Sequence, residues 1–134
     1  MGIADADHEE SSPDASVKLI SKLTCSLSGQ EGTVRIVRDT LAHRIYGKDE
    51  VMESFACNYG FNEAFADQIG RKDLKISGRD ESGAVRIVEL PRHPFYIATL
   101  YVPQVLSKPG APHPIMVAYL SAAAQFHKAS NGKH

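Results

Sequence analysis

The residues best suited to acid–base chemistry lie on either side of a proline in the second half of the chain. Glu89 and His93 are four residues apart, with Pro91 between them. An imidazole titrates at about pH 6.5 when unperturbed, and a neighbouring carboxylate raises its pKa, so this pair could move a proton at neutral pH. Alternatively, His93 only precedes a strand and hydrogen-bonds to backbone. Spacing alone leaves both interpretations open.

Four further side chains could take part in such a site. Tyr96 and Tyr101 belong to one apolar run, and Cys57 and Tyr59 share the segment CNYG. The tyrosines supply hydroxyl groups, and a thiol becomes reactive only beside a cation. Core packing of the tyrosines and an inert buried thiol are the alternatives. The candidate catalytic set is therefore His93, Glu89, Tyr59, Tyr96, Tyr101 and Cys57.

Cysteine spacing and overall charge argue against several other kinds of protein. Cys25 and Cys57 show no Cys-x-x-Cys or Cys/His ligand spacing, so neither a metal site nor a cofactor is expected. The formal net charge is -1, so neither nucleic acid nor a membrane surface is an expected partner. The sequence has no 18-residue apolar run and no signal-peptide pattern, which predicts a cytoplasmic protein.

The elements that must position these residues begin after an acidic segment. Residues 1–16 contain five acidic residues and no Lys or Arg, which predicts a flexible leader, or a segment that docks on a basic patch. Apolar residues with a period near two over 17–27, and alternation over 33–38, predict two strands. Residues 39–47 are typical of a short capped helix that ends at Gly47.

The second half of the chain predicts a sheet followed by a helix. Two β-rich runs around the turn DESG predict an antiparallel hairpin over 74–90. The nearly all-apolar run 95–101 predicts a strand that is buried on both faces. Pro114 suits a first helical position, and a wide apolar face predicts that the helix 114–128 packs flat against the sheet, before a polar tail at 129–134. The predicted fold class is α/β, a small sandwich with a mixed sheet.

Most of the chain follows the motif order of one known family. The stretch HPFYIATLYVPQ (93–104), followed by LSKPGAPHPIMVAYLSAA, and the preceding ISGRDESGAVRIVELPRHPF resemble the end of a class I glutamine amidotransferase domain of the CTP synthase type. Upstream, TVRIVRDTLAHRIYGKDEVMESFACNYGFN is similar to an earlier region of that domain. The resemblance extends over about residues 17–126. It is stronger still to small stand-alone proteins related to the CTP synthase C-terminal region, and it implies a truncated amidotransferase-like domain over 17–128.

The same resemblance implies that the catalytic residues of the family are missing. A class I amidotransferase uses a Cys thiolate on a strand-to-helix elbow, a His base and a Glu that orients the His. Here Val102 and Gln104 stand at the family's His and Glu positions, and neither Cys25 nor Cys57 lies in a Gly-x-Cys-x-Gly elbow. Valine accepts no proton, and glutamine carries no charge to stabilise an imidazolium. Glutamine hydrolysis by this chain alone is therefore not expected.

Three functional hypotheses follow. The first is a small cofactor-independent enzyme that performs acid–base chemistry of the isomerase, cyclase or lyase type on a small-molecule metabolite. The second is a non-catalytic pseudo-amidotransferase subunit or partner-binding domain, which forms a homo-oligomer or binds a partner that supplies the missing half of the sheet. The third is a fragment of a longer protein. The first is favoured, because a chain of ordinary globular composition need not be a fragment.

Overall fold

A computed structural model describes residues 3–24, 26–70 and 73–131 of this chain. These residues form eight strands in two sheets, three α-helices and two 3₁₀ turns, which confirms the predicted α/β class. The strands are β1 (Ala6–His8), β2 (Val17–Lys22), β3 (Gln30–Ile36), β4 (Glu50–Phe55), β5 (Tyr59–Phe61), β6 (Lys75–Asp80), β7 (Val85–Glu89) and β8 (Ile97–Thr99). The helices are α1 (Leu41–Tyr46), α2 (Ala66–Gly70) and α3 (Pro114–Asn131), and the 3₁₀ turns are Glu63–Phe65 and Pro103–Leu106.

The larger sheet is antiparallel throughout and has the strand order β4-β3-β6-β7-β8. Strands β6 and β7 are the hairpin predicted over 74–90. Gly83 closes its turn with φ 87°, a left-handed conformation that favours glycine. The smaller sheet has the order β1-β2-β5, with β1 parallel and β5 antiparallel to β2, so the two directions predicted for a mixed sheet occur there.

Part of the predicted flexible leader, residues 1–16, is ordered by contacts with the rest of the chain. Strand β1 pairs with β2, and the Glu9 carboxylate accepts hydrogen bonds from the backbone N–H of Lys22 at 2.5 Å and from Lys18 Nζ at 3.2 Å. Strand pairing and an ion pair between Glu9 and Lys18 thus join this part of the leader to β2.

The core lies between one face of the larger sheet and helix α1. Within this core the Ile87 side chain packs directly against the backbone of Gly78. A Cβ at position 78 would lie 2.7 Å from Ile87 Cδ1, so a residue without a side chain is needed there. Any larger residue would displace the most deeply buried isoleucine of the sheet. The buried residues of the core are Val34, Ile36, Ala42, Phe55, Ile87, Tyr101 and Ile115.

Two elements near the C-terminus differ from the sequence prediction. The strand predicted over 95–101 is limited to β8, which lies at the end of the sheet and is half-buried rather than covered on both faces. Within the described ranges its one partner strand is β7. Helix α3 is longer than predicted and does not lie flat against the sheet: Ile115 is its one buried residue among those described. Its main contacts are with α1 and the second 3₁₀ turn, so its large apolar residues beyond the first turn, such as Tyr119, Leu120 and Phe126, are exposed.

None of the helices in the described ranges combines the length and the apolar character that crossing a membrane requires.

Glu89 caps helix α1 from a distant part of the chain. Its Oε1 accepts a hydrogen bond from Leu41 N–H at 2.9 Å, and its Oε2 accepts one from Ala42 N–H at 3.1 Å. Thr40 accepts a third, from His43 N–H at 3.0 Å. A carboxylate at this end of a helix satisfies backbone donors that have no intrahelical partner and complements the helix dipole. Glu89 is only 3% exposed, so these backbone donors replace water as partners of its carboxyl oxygens.

Replacement of Glu89 by glutamine tests this cap. Glu89→Gln removes the charge and one of the two acceptor oxygens, and we expect the free energy of unfolding to fall by about 1–3 kcal/mol. Urea denaturation followed by circular dichroism measures the change. The matched control is Glu81→Gln, since Glu81 is exposed in the hairpin turn. Equal stability of the two variants would contradict the cap.

Candidate functional site

The structure does not gather the predicted acid–base residues into one site. Both oxygens of Glu89 bind the start of α1, as described above. His93 is exposed in the turn after β7, where its Nδ1 accepts a hydrogen bond from Phe95 N–H at 3.2 Å. Its ring meets that of Tyr96 edge to face, with 6.1 Å between centroids. His93 and Tyr96 are therefore neighbours, whereas the Glu89 carboxylate binds the backbone at the start of α1.

Cys57 and Tyr59 lie elsewhere, at and beside the smaller sheet. Tyr59 begins β5, and its ring lies 5.2 Å from the ring of His8. Cys57 is a half-buried free thiol in the link between β4 and β5, and its carbonyl accepts a hydrogen bond from Leu27 N–H at 3.3 Å. Cys25 lies outside the described residues. The structure thus brings neither Cys57 nor Tyr59 to His93.

Tyr101 belongs to a buried polar cluster whose other members were not predicted. Tyr46 ends α1, Glu53 lies on β4, and His113 precedes α3. Three of the four side chains are almost completely buried, with exposures of 1% for Glu53, 3% for Tyr101 and 5% for His113. These residues, Tyr46, Glu53, Tyr101 and His113, are called the Glu53 cluster below.

One carboxylate oxygen holds the Glu53 cluster together. Glu53 Oε1 accepts a hydrogen bond from the Tyr46 hydroxyl at 2.6 Å and lies 2.9 Å from His113 Nε2. The Tyr46 and Tyr101 hydroxyls are 2.8 Å apart. Because Tyr46 donates its proton to Glu53, its oxygen accepts the proton of Tyr101. Glu53 Oε2 is buried and has no hydrogen-bond partner among the described residues.

The backbone of α3 sets the tautomer of His113. The N–H of Ile115 points at His113 Nδ1 across 3.2 Å, so Nδ1 is an acceptor and carries no hydrogen. The proton therefore lies on Nε2, from which it is donated to Glu53. Protonation of Nδ1 would set two N–H groups against each other. His113 thus caps α3 with Nδ1 and binds Glu53 with Nε2.

Burial keeps both phenols of the cluster protonated. Removal from water raises the pKa of Tyr46 above its ordinary value, and the nearby Tyr101 and Glu53 raise it further. Burial likewise raises the pKa of Tyr101. Neither phenolate forms at neutral pH, so neither tyrosine acts as a base there. The side chains of the cluster therefore form hydrogen bonds that join α1, β4 and the start of α3.

An open cavity of about 360 Å³ adjoins this cluster, with Tyr46, Glu53 and His113 in its lining beside Lys48, Glu50 and Leu106. A larger cavity, of about 480 Å³, lies near the hairpin turn. There Arg86, 3% exposed, forms an ion pair with Asp80 at 2.7 Å, and its guanidinium lies over the Phe55 ring at 5.1 Å.

No group of His, Cys, Asp and Glu side chains within residues 3–24, 26–70 and 73–131 could hold a metal ion.

The two positions that the resemblance assigns to proton transfer lie at the second 3₁₀ turn. Val102 is half-buried, and its carbonyl accepts a hydrogen bond from Val105 N–H at 3.1 Å. Gln104 is exposed, and its carbonyl accepts one from Ser107 N–H at 3.1 Å. Both residues therefore support a backbone turn through their carbonyl groups.

Solved structures share this fold. The chain superposes on the glutaminase domain of Trypanosoma brucei CTPS with a TM-score of 0.85 and 24% sequence identity, covering 92% of this chain and 52% of that one. It also superposes on a protein from Thermoplasma acidophilum, described as a GMP synthase subunit, with a TM-score of 0.61 and 14% identity, covering 84% of this chain and 51% of the other. The fold is thus of the glutamine amidotransferase class.

Sequence comparison defines the relationship further. The chain is 37% identical to the CTP synthase of Flavobacterium johnsoniae over 139 aligned positions, 96% of this chain and 26% of that protein. It is 33% identical to the CTP synthase of Nostoc punctiforme, over 91% of this chain and 24% of that protein. No protein-family model matches the sequence. The chain is an amidotransferase-like domain related to CTP synthase, and it spans about a quarter of the length of these relatives.

Removal of one hydroxyl tests the structural role of the Glu53 cluster. Tyr46→Phe deletes the donor to Glu53 Oε1 and the acceptor for Tyr101, and leaves a buried carboxylate with one partner fewer. We expect the free energy of unfolding to fall by about 1–3 kcal/mol, measured by urea denaturation. Tyr119→Phe is the matched control, because Tyr119 is 54% exposed on α3. A similar effect of both substitutions would exclude this role.

Proposed function

We propose that this chain is a non-catalytic amidotransferase-like domain, which acts by binding another polypeptide and does not hydrolyse glutamine itself. The proposal rests on Val102 and Gln104, which the resemblance places at the family's His and Glu positions. Neither side chain can take up a proton and pass it on, so a thiolate and its leaving group would have no partner for proton transfer. The cytoplasmic localisation expected from the sequence stays a prediction.

The placement of the polar residues supports binding over acid–base catalysis. Both carboxylate oxygens of Glu89 accept hydrogen bonds from α1, and His113 bonds to Glu53 through one ring nitrogen and to the backbone of α3 through the other. Catalytic acids and bases must exchange protons with a substrate, and these groups already have structural partners. The His93 ring is exposed, and the ring that it meets belongs to Tyr96 rather than to a carboxylate.

One observation favours acid–base chemistry of the isomerase, cyclase or lyase type as a second candidate. The open cavity of about 360 Å³ beside Glu53 and His113 is large enough for a small metabolite. A ligand-observed NMR screen of small metabolites, with line broadening that disappears in His113→Gln but persists in His93→Ala, would favour this candidate. Equal broadening in both variants would exclude the cavity.

Glutamine hydrolysis is the direct test of the proposed function. The purified chain, incubated with glutamine, should release no ammonia above the buffer rate in a coupled glutamate dehydrogenase assay. The CTP synthase of Flavobacterium johnsoniae is the positive control. Ammonia release by this chain that is abolished in Cys57→Ser would refute the proposal, because it would identify a working nucleophile.

A further inference from the structure

Helix α3 presents an apolar face to the outside of the molecule. Its exposed residues include Tyr119, Leu120 and Phe126, with exposures of 54%, 64% and 68%. No charged residue occurs between positions 114 and 126. A helix exposed to water on this side would ordinarily carry charged residues there. The α3 face, defined by Met116, Tyr119, Leu120, Ala123 and Phe126, therefore has the composition of a buried surface.

The α3 face continues into a groove and then to the edge of the larger sheet. The ring of Phe95 lies 5.9 Å from that of Tyr119, and a cavity of about 270 Å³ opens between the segment 93–95 and the helix. Two residues after Phe95 the chain enters β8. In the described part of the chain β8 pairs only with β7, so its outer edge offers free backbone groups to a further strand.

The comparison with a solved domain indicates what covers this surface. The chain superposes over 92% of its length on a glutaminase domain but accounts for only 52% of that domain, which leaves 48% (100% less 52%) unmatched. The halves of a single domain share one hydrophobic core, so the surfaces that one half leaves open are those on which the other half packs. An uncharged helix face beside a free strand edge suits a complement that brings both an apolar layer and a strand.

We infer that the α3 face and the outer edge of β8 form one docking surface for the complementary half of an amidotransferase-like domain. This inference rests on the proposed function, since it names the surface and the partner through which a non-catalytic domain acts. The partner's contribution is a strand that extends the sheet beyond β8 and apolar side chains that fill the groove at Phe95.

Co-expression tests the docking surface. The probe is the N-terminal half of the Trypanosoma brucei CTPS glutaminase domain, co-expressed with the affinity-tagged chain. We expect a one-to-one complex by light scattering. Leu120→Lys and Phe126→Lys should each reduce the co-purified probe at least tenfold, because a charge is then buried in an apolar interface. Met52→Lys is the matched control: Met52 is 57% exposed on β4, at the opposite edge of the sheet, and should leave the complex unchanged.

Each alternative result overturns the inference. Failure of the probe to co-purify would do so, as would equal recovery with Leu120→Lys and Met52→Lys. A homodimer of twice the 14.6 kDa chain mass that is lost in Leu120→Lys would assign the surface to a second copy instead. Ammonia release by the complex, measured in parallel, would refute the non-catalytic role and leave the docking surface intact. The two proposals can therefore fail separately.

Discussion

The buried carboxylate of Glu53 is the interaction on which the arrangement of helices and sheet depends. It lies on β4 and accepts hydrogen bonds from Tyr46 at the end of α1 and from His113 at the start of α3. Burial of a carboxyl group in a core costs free energy unless its oxygens are hydrogen-bonded, and these two donors satisfy Oε1. The orientation of both helices is therefore tied to the hydrogen bonds of one side chain that is 1% exposed.

The polar residues of the core have structural roles, because their side chains bind the ends of helices. Glu89 and Glu53 are both deeply buried, and each is bound to a helix terminus, directly through backbone N–H groups or through a histidine that itself caps the helix. The second 3₁₀ turn, with Val102 and Gln104, follows Tyr101 of the Glu53 cluster. The two positions to which the resemblance assigns proton transfer thus carry an apolar side chain, Val102, and an uncharged one, Gln104.

The first turn of α3 is less exposed than its later turns, because only the first turn is held by buried residues. Its first turn is held by His113 and by Ile115, which belongs to the core, whereas the following turns leave the sheet and expose uncharged residues. The residues exposed on these later turns form the α3 face of the docking surface proposed above.

Short sequence patterns determined the turns and helix ends that depend only on neighbouring residues. The turn DESG set the β6–β7 hairpin, Thr40 and Gly47 bounded α1, and motif order indicated the relationship to CTP synthase. Tertiary structure alone decided which polar groups meet. Glu53 and His113 are 60 residues apart, and Glu89 reaches α1 across 47 and 48 residues. The physical reason is that hydrogen bonds to buried groups depend on distance in space. Spacing along the sequence does not predict that distance when the partners lie on elements far apart in the chain.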